Sequence, residues 1–179
     1  IVSLTVILAV GMQQVMARRA VVRRMVAAET LGSVSTICVD KTGTITQGVM
    51  TVVKNDLTNI GEAVKAAVIA NNLEDPLEIA IWDWVRGQDH IDPQEIVDTS
   101  QRIGEVPFDS IKKYMSVTTR EGVWTKGAPE VVLGMSTLTK NERNEWLAKV
   151  MAWGRKGLRV IASAHDTTFL GIIGIADPV

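Results

Sequence analysis

The sequence predicts an α/β chain: an apolar helical segment, one short buried strand ending in an aspartate, then a lobe mixing helices with paired strands. Three observations carry this reading. Ile1 to Val10 is a run without charge. Val34 to Val39 is β-branched and mostly apolar and leads straight into Asp40, which reads as a strand with a carboxylate at its end. Beyond residue 50, stretches of helical spacing alternate with stretches of period two.

The totals agree with a folded chain. The 179 residues are 46% hydrophobic and 22% charged, which suits a globular core and excludes disorder. A net charge of −1 argues against a nucleic-acid partner. A single cysteine, Cys38, rules out an internal disulfide and suits a reducing compartment. His90 and His165 with one distant cysteine make no zinc constellation.

Taken in order, the apolar run continues as Gly11 to Ala17 before four arginines, Arg18, Arg19, Arg23 and Arg24. A bilayer needs about 20 apolar residues, and basic residues beside such a run mark its cytoplasmic side. Residues 1–17 are therefore expected to be the end of a membrane helix in contact with lipid, and residues 18–32 a cytoplasmic stalk, helical to Ala28 and broken at Gly32. Ile60 to Asn71 has helical spacing. Asp75-Pro76-Leu77-Glu78 reads as an N-cap, a first-turn proline and a closing capping-box glutamate; Asp92-Pro93-Gln94-Glu95 repeats the signal. Arg102 to Val106 is expected to be extended and Phe108-Asp109-Ser110 a turn. Lys113 to Thr119 and Val123 to Lys126 read as strands around Arg120-Glu121-Gly122. A helix opens at Pro129, and Thr139-Lys140-Asn141-Glu142 is a capping box for another. Val160 to Ala164 and Phe169 to Ile175 are expected to be strands joined near Asp166. The five tryptophans fall on strand or helix faces and read as core.

The chemistry concentrates in Asp40-Lys41-Thr42-Gly43-Thr44. A carboxylate at the end of a strand can attack a phosphoryl group. Lys41 supplies positive charge, and Thr42, Gly43 and Thr44 supply hydroxyls and close-approaching amides for phosphate oxygens. Mg2+, which takes one or two carboxylates plus phosphate oxygens, would complete such a site. This DKTGT stretch, with Glu29-Thr30-Leu31-Gly32 upstream, resembles the phosphorylation motif of P-type ATPases, the ion pumps that pass through an aspartyl phosphate. The family usually shows leucine where Ile45 stands and asparagine where Gly48 stands.

A second constellation, Lys126-Gly127-Ala128-Pro129-Glu130, resembles the KGAPE motif of the same pumps' nucleotide domain. By that resemblance Lys126 and Gly127 line an ATP pocket, with Phe108 stacked on adenine, Lys113 beside it, Arg159 toward the phosphates and Glu78 near the adenine amino group. ETLG and KGAPE together resemble the calcium, sodium-potassium and proton branches.

The resemblance implies a partial haloacid-dehalogenase-like phosphorylation domain (its first strand) with an inserted α+β nucleotide-binding domain, antiparallel sheet plus helices, preceded by a membrane and stalk helix. The expected boundaries are 33–47 for the start of the phosphorylation domain, 48–176 for the nucleotide domain and 177–179 for the hinge back. The expected function is ATP binding and transfer of the γ-phosphate to Asp40, with Mg2+ at Asp40 and Thr42, in a multi-pass membrane pump whose other segments are partners. A soluble aspartate-nucleophile phosphatase would require a carboxylate at position 42, where a threonine stands. A nucleotide-binding module without catalysis predicts the same fold for residues 48–176.

Overall fold

In the first of two units, Ile1–Asp40, helix α1 spans Val2–Ala17. The second unit is Lys41–Val179. The computed structural model describes residues 2–21, 23–24, 30, 32–40, 44–88 and 91–178.

Helix α1 ends in a tight backbone cap. The Arg19 amide donates to Met16 O at 2.9 Å and the Ala20 amide to Val15 O at 3.3 Å, with Arg19 at φ 63°. That pairing, with a left-handed residue just past the helix, is a Schellman stop. The expected helical continuation through residues 18–24 is therefore not formed at the described positions. Like charges at Arg19 and Arg23, one turn apart, weaken a helix there. Among the described residues no helix is long and apolar enough to cross a membrane. Residues 25–29 and 31 lie outside the described residues.

The strand expected at Val34 to Val39 is also not formed. Val34, Ile37 and Val39 are 48%, 78% and 46% exposed. A strand needs neighbours for its backbone groups, and among the described residues none pairs with this segment.

The second unit is built on a six-stranded antiparallel sheet. Its strands are β1 (Thr51–Leu57), β2 (Gly104–Asp109), β3 (Tyr114–Thr119), β4 (Gly122–Gly127), β5 (Arg159–His165) and β6 (Thr168–Ala176). The spatial order is β1-β6-β5-β4-β3-β2, so the last strand returns beside the first. Helices α2 (Ile60–Ile69), α3 (Pro76–Arg86) and α4 (Pro93–Thr99) follow β1, while α5 (Pro129–Met135) and α6 (Lys140–Gly154) lie between β4 and β5.

The helices cover both sheet faces. On one, Ala63, Ala66, Ile69 and Ala70 of the α2 segment pack on Met115, Val117, Trp124 and Leu170. The alanines let that helix approach the sheet closely, and Val64 and Val68 extend its contact to Ile81, Val85, Ile173 and Ile175. On the other face, Val132, Leu133 and Trp153 meet Ala162, Ala164, Phe169 and Ile172. Leu170 and Ile172 are two apart yet belong to opposite faces. A bulge explains this: Ser163 pairs with Gly171 but Ala164 pairs with Phe169, adding one residue to β6. Gly171 has φ 124°, and a Cβ there would lie 2.2 Å from Asp56 O. Of the five tryptophans, Trp124 and Trp153 are buried; Trp82, Trp84 and Trp146 are half-buried.

The two ends of this unit are tied together. The Asp177 carboxylate accepts from the Thr46 hydroxyl and, at 3.0 Å, from the Gly48 amide. The Gln47 amide donates to Pro178 O at 3.0 Å. Gly48, at φ 71°, needs no side chain for its part in this link.

Candidate functional site

A cleft of about 260 Å³ opens where the N-terminus of α3 overhangs one end of the sheet. Glu78, Phe108, Lys113, Lys126, Gly127 and Arg159 all line it. The topology brings them there from three strands, a turn and a helix. Lys126 pairs with Met115 on one side and with Ser163 on the other, so β3, β4 and β5 present consecutive rungs of one face. Leu77, Met115, Val160 and Ile161 give the cleft apolar walls, and Asp75 and Ala128 complete its lining.

Lys126 and Glu78 form a buried ion pair at its base. Lys126 Nζ donates to Glu78 Oε1 at 2.9 Å, and the two side chains are 7% and 9% exposed. Burial pushes the Lys126 ammonium pKa down; the Glu78 charge and hydrogen bond only partly oppose this, and the net shift is downward. For Glu78, burial pushes the carboxyl up. The Lys126 charge and hydrogen bond, with the Glu74 and Asn72 amides, outweigh it and hold the pKa below the ordinary value. A buried pair of this kind is strongly destabilised by removing one partner, because the other is left charged and unpaired.

The expected capping box at Glu78 is half formed. Asp75 caps α3 by accepting from the Leu77 and Glu78 amides at 2.7 and 3.0 Å. The Glu78 carboxylate does not return to Asp75. Its Oε2 accepts from the Asn72 and Glu74 amides at 3.3 and 3.0 Å while Oε1 takes Lys126. The preceding loop and the buried ammonium compete successfully for the carboxylate. At Thr139 and Glu142, with no such competitor, the reciprocal box is complete.

Phe108 is 60% exposed although it belongs to a strand. A large apolar ring exposed on a cleft wall is available to a flat ligand, which a core phenylalanine is not. The expected turn at Phe108-Asp109-Ser110 begins later: Phe108 and Asp109 remain in β2, and Asp109 caps the following turn by accepting from the Ile111 and Lys112 amides. Those two bonds hold the Asp109 carboxyl below the ordinary value. The turn ends at Lys113, which sits at φ 59° with its amide bonded to Asp109 O at 2.6 Å and its ammonium 3.3 Å from the exposed Glu130 carboxylate.

Gly127 has a reason to be glycine inside the fold itself. A Cβ there would lie 2.5 Å from Lys113 O and 2.7 Å from Tyr114 Cα. Arg159, at the start of β5, is exposed and has no ion-pair partner among the described residues.

Asp40 is exposed and belongs to the first unit, whereas the cleft is built by residues of the second. Lys41, Thr42 and Gly43 lie outside the described residues, and Thr44 stands in an exposed turn. Among the described residues no group of three or more His, Cys, Asp or Glu is arranged to hold a metal ion. An exposed lone carboxylate fits Mg2+ only in the mode where phosphate oxygens and water supply most ligands.

Sequence reasoning missed part of the lining. Met115 was legible in principle, two residues beyond Lys113 at the start of β3, and Val160 and Ile161 adjoin Arg159. The loop residues that grip Glu78 carried no sequence signal.

The arrangement is a mostly apolar slot with one exposed aromatic, a buried ammonium at its base and two exposed cations at its rim, on a six-stranded antiparallel sheet with helices on both faces. Residues 51–179 match the family described as P-type ATPase, cytoplasmic domain N. The chain belongs to the P-type cation-transporting ATPases, of which this lobe is the nucleotide-binding domain. Similar curated proteins include Calcium-transporting ATPase 1 of Lactococcus lactis, 33% identical over 90% of this chain and 22% of that protein. A Probable cation-transporting P-type ATPase of Mycoplasma genitalium is 30% identical over 98% of this chain and 24% of that protein. The chain thus spans about a quarter of the length of these relatives. A crystal structure of a zinc-transporting PIB-type ATPase in the E2.Pi state superposes with a TM-score of 0.68 over 96% of this chain and 26% of that one. At 18% identity that likeness shows the fold alone.

Proposed function

We propose that this chain is the ATP-binding and phosphate-accepting part of a membrane cation pump. The observation that carries this reading is the single cleft that gathers Glu78, Phe108, Lys113, Lys126, Gly127 and Arg159 from positions as far apart as 78 and 159. Phe108 offers a stacking face for adenine, an interaction of about 1–3 kcal/mol per base. Lys126 supplies fixed charge at the base, and Lys113 and Arg159 meet the phosphates at the rim; a guanidinium suits bidentate phosphate contact.

The lobe presents the γ-phosphate to Asp40, whose carboxylate oxygen attacks phosphorus while the bond to the ADP oxygen breaks. Lys41, Thr42, Gly43 and Thr44 orient the transferred group. Asp40 and Thr42 would hold Mg2+, which neutralises phosphate charge when bound. Thr42 cannot act as a general base toward water, so the acyl phosphate persists long enough for a conformational change. Residues 18–179 lie on the cytoplasmic side and residues 1–17 belong to a membrane helix. The transported ion is Ca2+ by the names of several relatives, including the 33%-identical Lactococcus protein. The isolated chain binds nucleotide and turns over little, because the remaining segments of the pump complete the catalytic site.

Phosphoenzyme formation tests this. In the complete pump, acid-stable label from γ-labelled ATP should appear with wild type and vanish with Asp40→Asn. Label persisting in that variant would remove Asp40 from the role.

A further inference from the structure

Glu78 reaches Lys126, but Glu78 is itself held from outside the cleft. Between α2 and α3 the chain turns at Asn71 to Glu74, with Leu73 at φ 57°. Inside this loop the Leu73 amide donates to Asn71 Oδ1 at 2.9 Å, and Asn71 Nδ2 donates to Glu78 O at 2.9 Å. The loop's Asn72 and Glu74 amides close on Glu78 Oε2.

The loop is fixed by one distant side chain. Arg102, just before β2, donates from Nη2 to Asn71 O at 2.7 Å and from Nη1 to Asn72 Oδ1 at 2.9 Å. Its guanidinium spans two consecutive loop residues, a two-point grip that a lysine cannot reproduce. Glu105 reinforces it by accepting from Asn72 Nδ2 and standing 3.9 Å from Arg102 Nη1. Arg102 does not line the cleft.

We infer that Arg102 is a positioning residue for nucleotide binding: through the Asn71–Glu74 loop it fixes the Glu78 carboxylate, and through that carboxylate the Lys126 ammonium. Both Glu78 oxygens are engaged from within the protein, so the carboxylate that faces Lys126 is held before any ligand arrives. A side chain outside the cleft lining thus steadies the ion pair at its foot. This rests on the reading of the cleft as a nucleotide site.

A double-mutant cycle on the full 179-residue chain tests it, with trinitrophenyl-ATP as the probe and thermal unfolding as a fold control. Lys126→Gln is used because it can keep a hydrogen bond to Glu78. Arg102→Ala should weaken probe binding about fivefold or more in the wild-type background, the scale of coupling within one network, and change nothing in the Lys126→Gln background. Arg102→Lys should restore only part of the affinity. Independently of any ligand, the Lys126 ε-methylene NMR resonance should move toward its free position in Arg102→Ala. Equal losses from Arg102→Ala in both backgrounds, or an unmoved Lys126 resonance, would overturn the inference while leaving the nucleotide site intact. Unchanged affinity in Lys126→Gln alone would overturn the site reading and this inference with it.

Discussion

At the scale of single residues, the cleft divides its cations by burial. Lys126 is nearly enclosed and paired, whereas Arg159 is exposed and has no carboxylate partner among the described residues. Arg159→Ala should therefore leave stability unchanged and weaken ATP several-fold while sparing adenosine, measured by competition against a fluorescent nucleotide. Equal weakening of both ligands would place Arg159 elsewhere than at the phosphates. Glu78 makes a prediction about acid. Its folded pKa is depressed, so its contribution to stability is present above its unfolded value and is lost as pH falls through the folded value. Acid unfolding of wild type should be steeper below pH of about 4.5 than that of Glu78→Gln, a region set by the ordinary carboxylate range. Parallel curves would contradict the ion pair. The burial that lowers the Lys126 pKa acts at the other end: nucleotide affinity should fall on the alkaline side earlier than a free lysine would dictate. That Lys126, Phe108, Lys113 and Arg159 share one cleft was legible because motif and order set them together. Their environments were not, since the enclosure of Lys126 depends on Glu78 being brought to it by helix α3.

At the scale of elements, local chemistry wrote most boundaries. Asp75, Asp92 and Thr139 cap their helices where the sequence signals said. Strands β3 and β4 and the pair β5 and β6 follow their period-two stretches to within a residue or two. Two elements fail for physical reasons that a local pattern does not contain. Val34 to Val39 has strand composition but no strand to pair with among the described residues, and α1 stops at Ala17 where arginines gather. The bulge beside Gly171 was equally invisible, because it exists only in the pairing of β6 with β5. Gly127 makes the element-scale prediction. A methyl at this position would sit within 3 Å of Lys113 and Tyr114, so Gly127→Ala should cost about 1–3 kcal/mol and disturb the β3–β4 register. Chemical denaturation with backbone amide shifts checks it; unchanged stability would mean the two strands part more easily than their geometry implies.

At the scale of the whole molecule, the second unit closes on itself. Strand β6 returns beside β1, and Asp177 ties Thr46 and Gly48 at the point where chain enters and leaves. Asp177→Ala should loosen that junction, raising amide exchange at Gly48 while leaving exchange in β3 and β4 unchanged. A uniform rise across the sheet would make Asp177 a general support of the fold and not a local tie. The family match and the sheet both concern one lobe; the proposed phosphoryl transfer to Asp40 requires that this lobe hold a nucleotide. The most direct measurement is titration of the purified chain with a fluorescent ATP analogue. Binding should saturate, be reversed by excess ATP, and weaken in Phe108→Ala by the loss of one stacked base, about 1–3 kcal/mol. Absence of saturable binding, or equal affinity in Phe108→Ala, would contradict the assignment of this cleft.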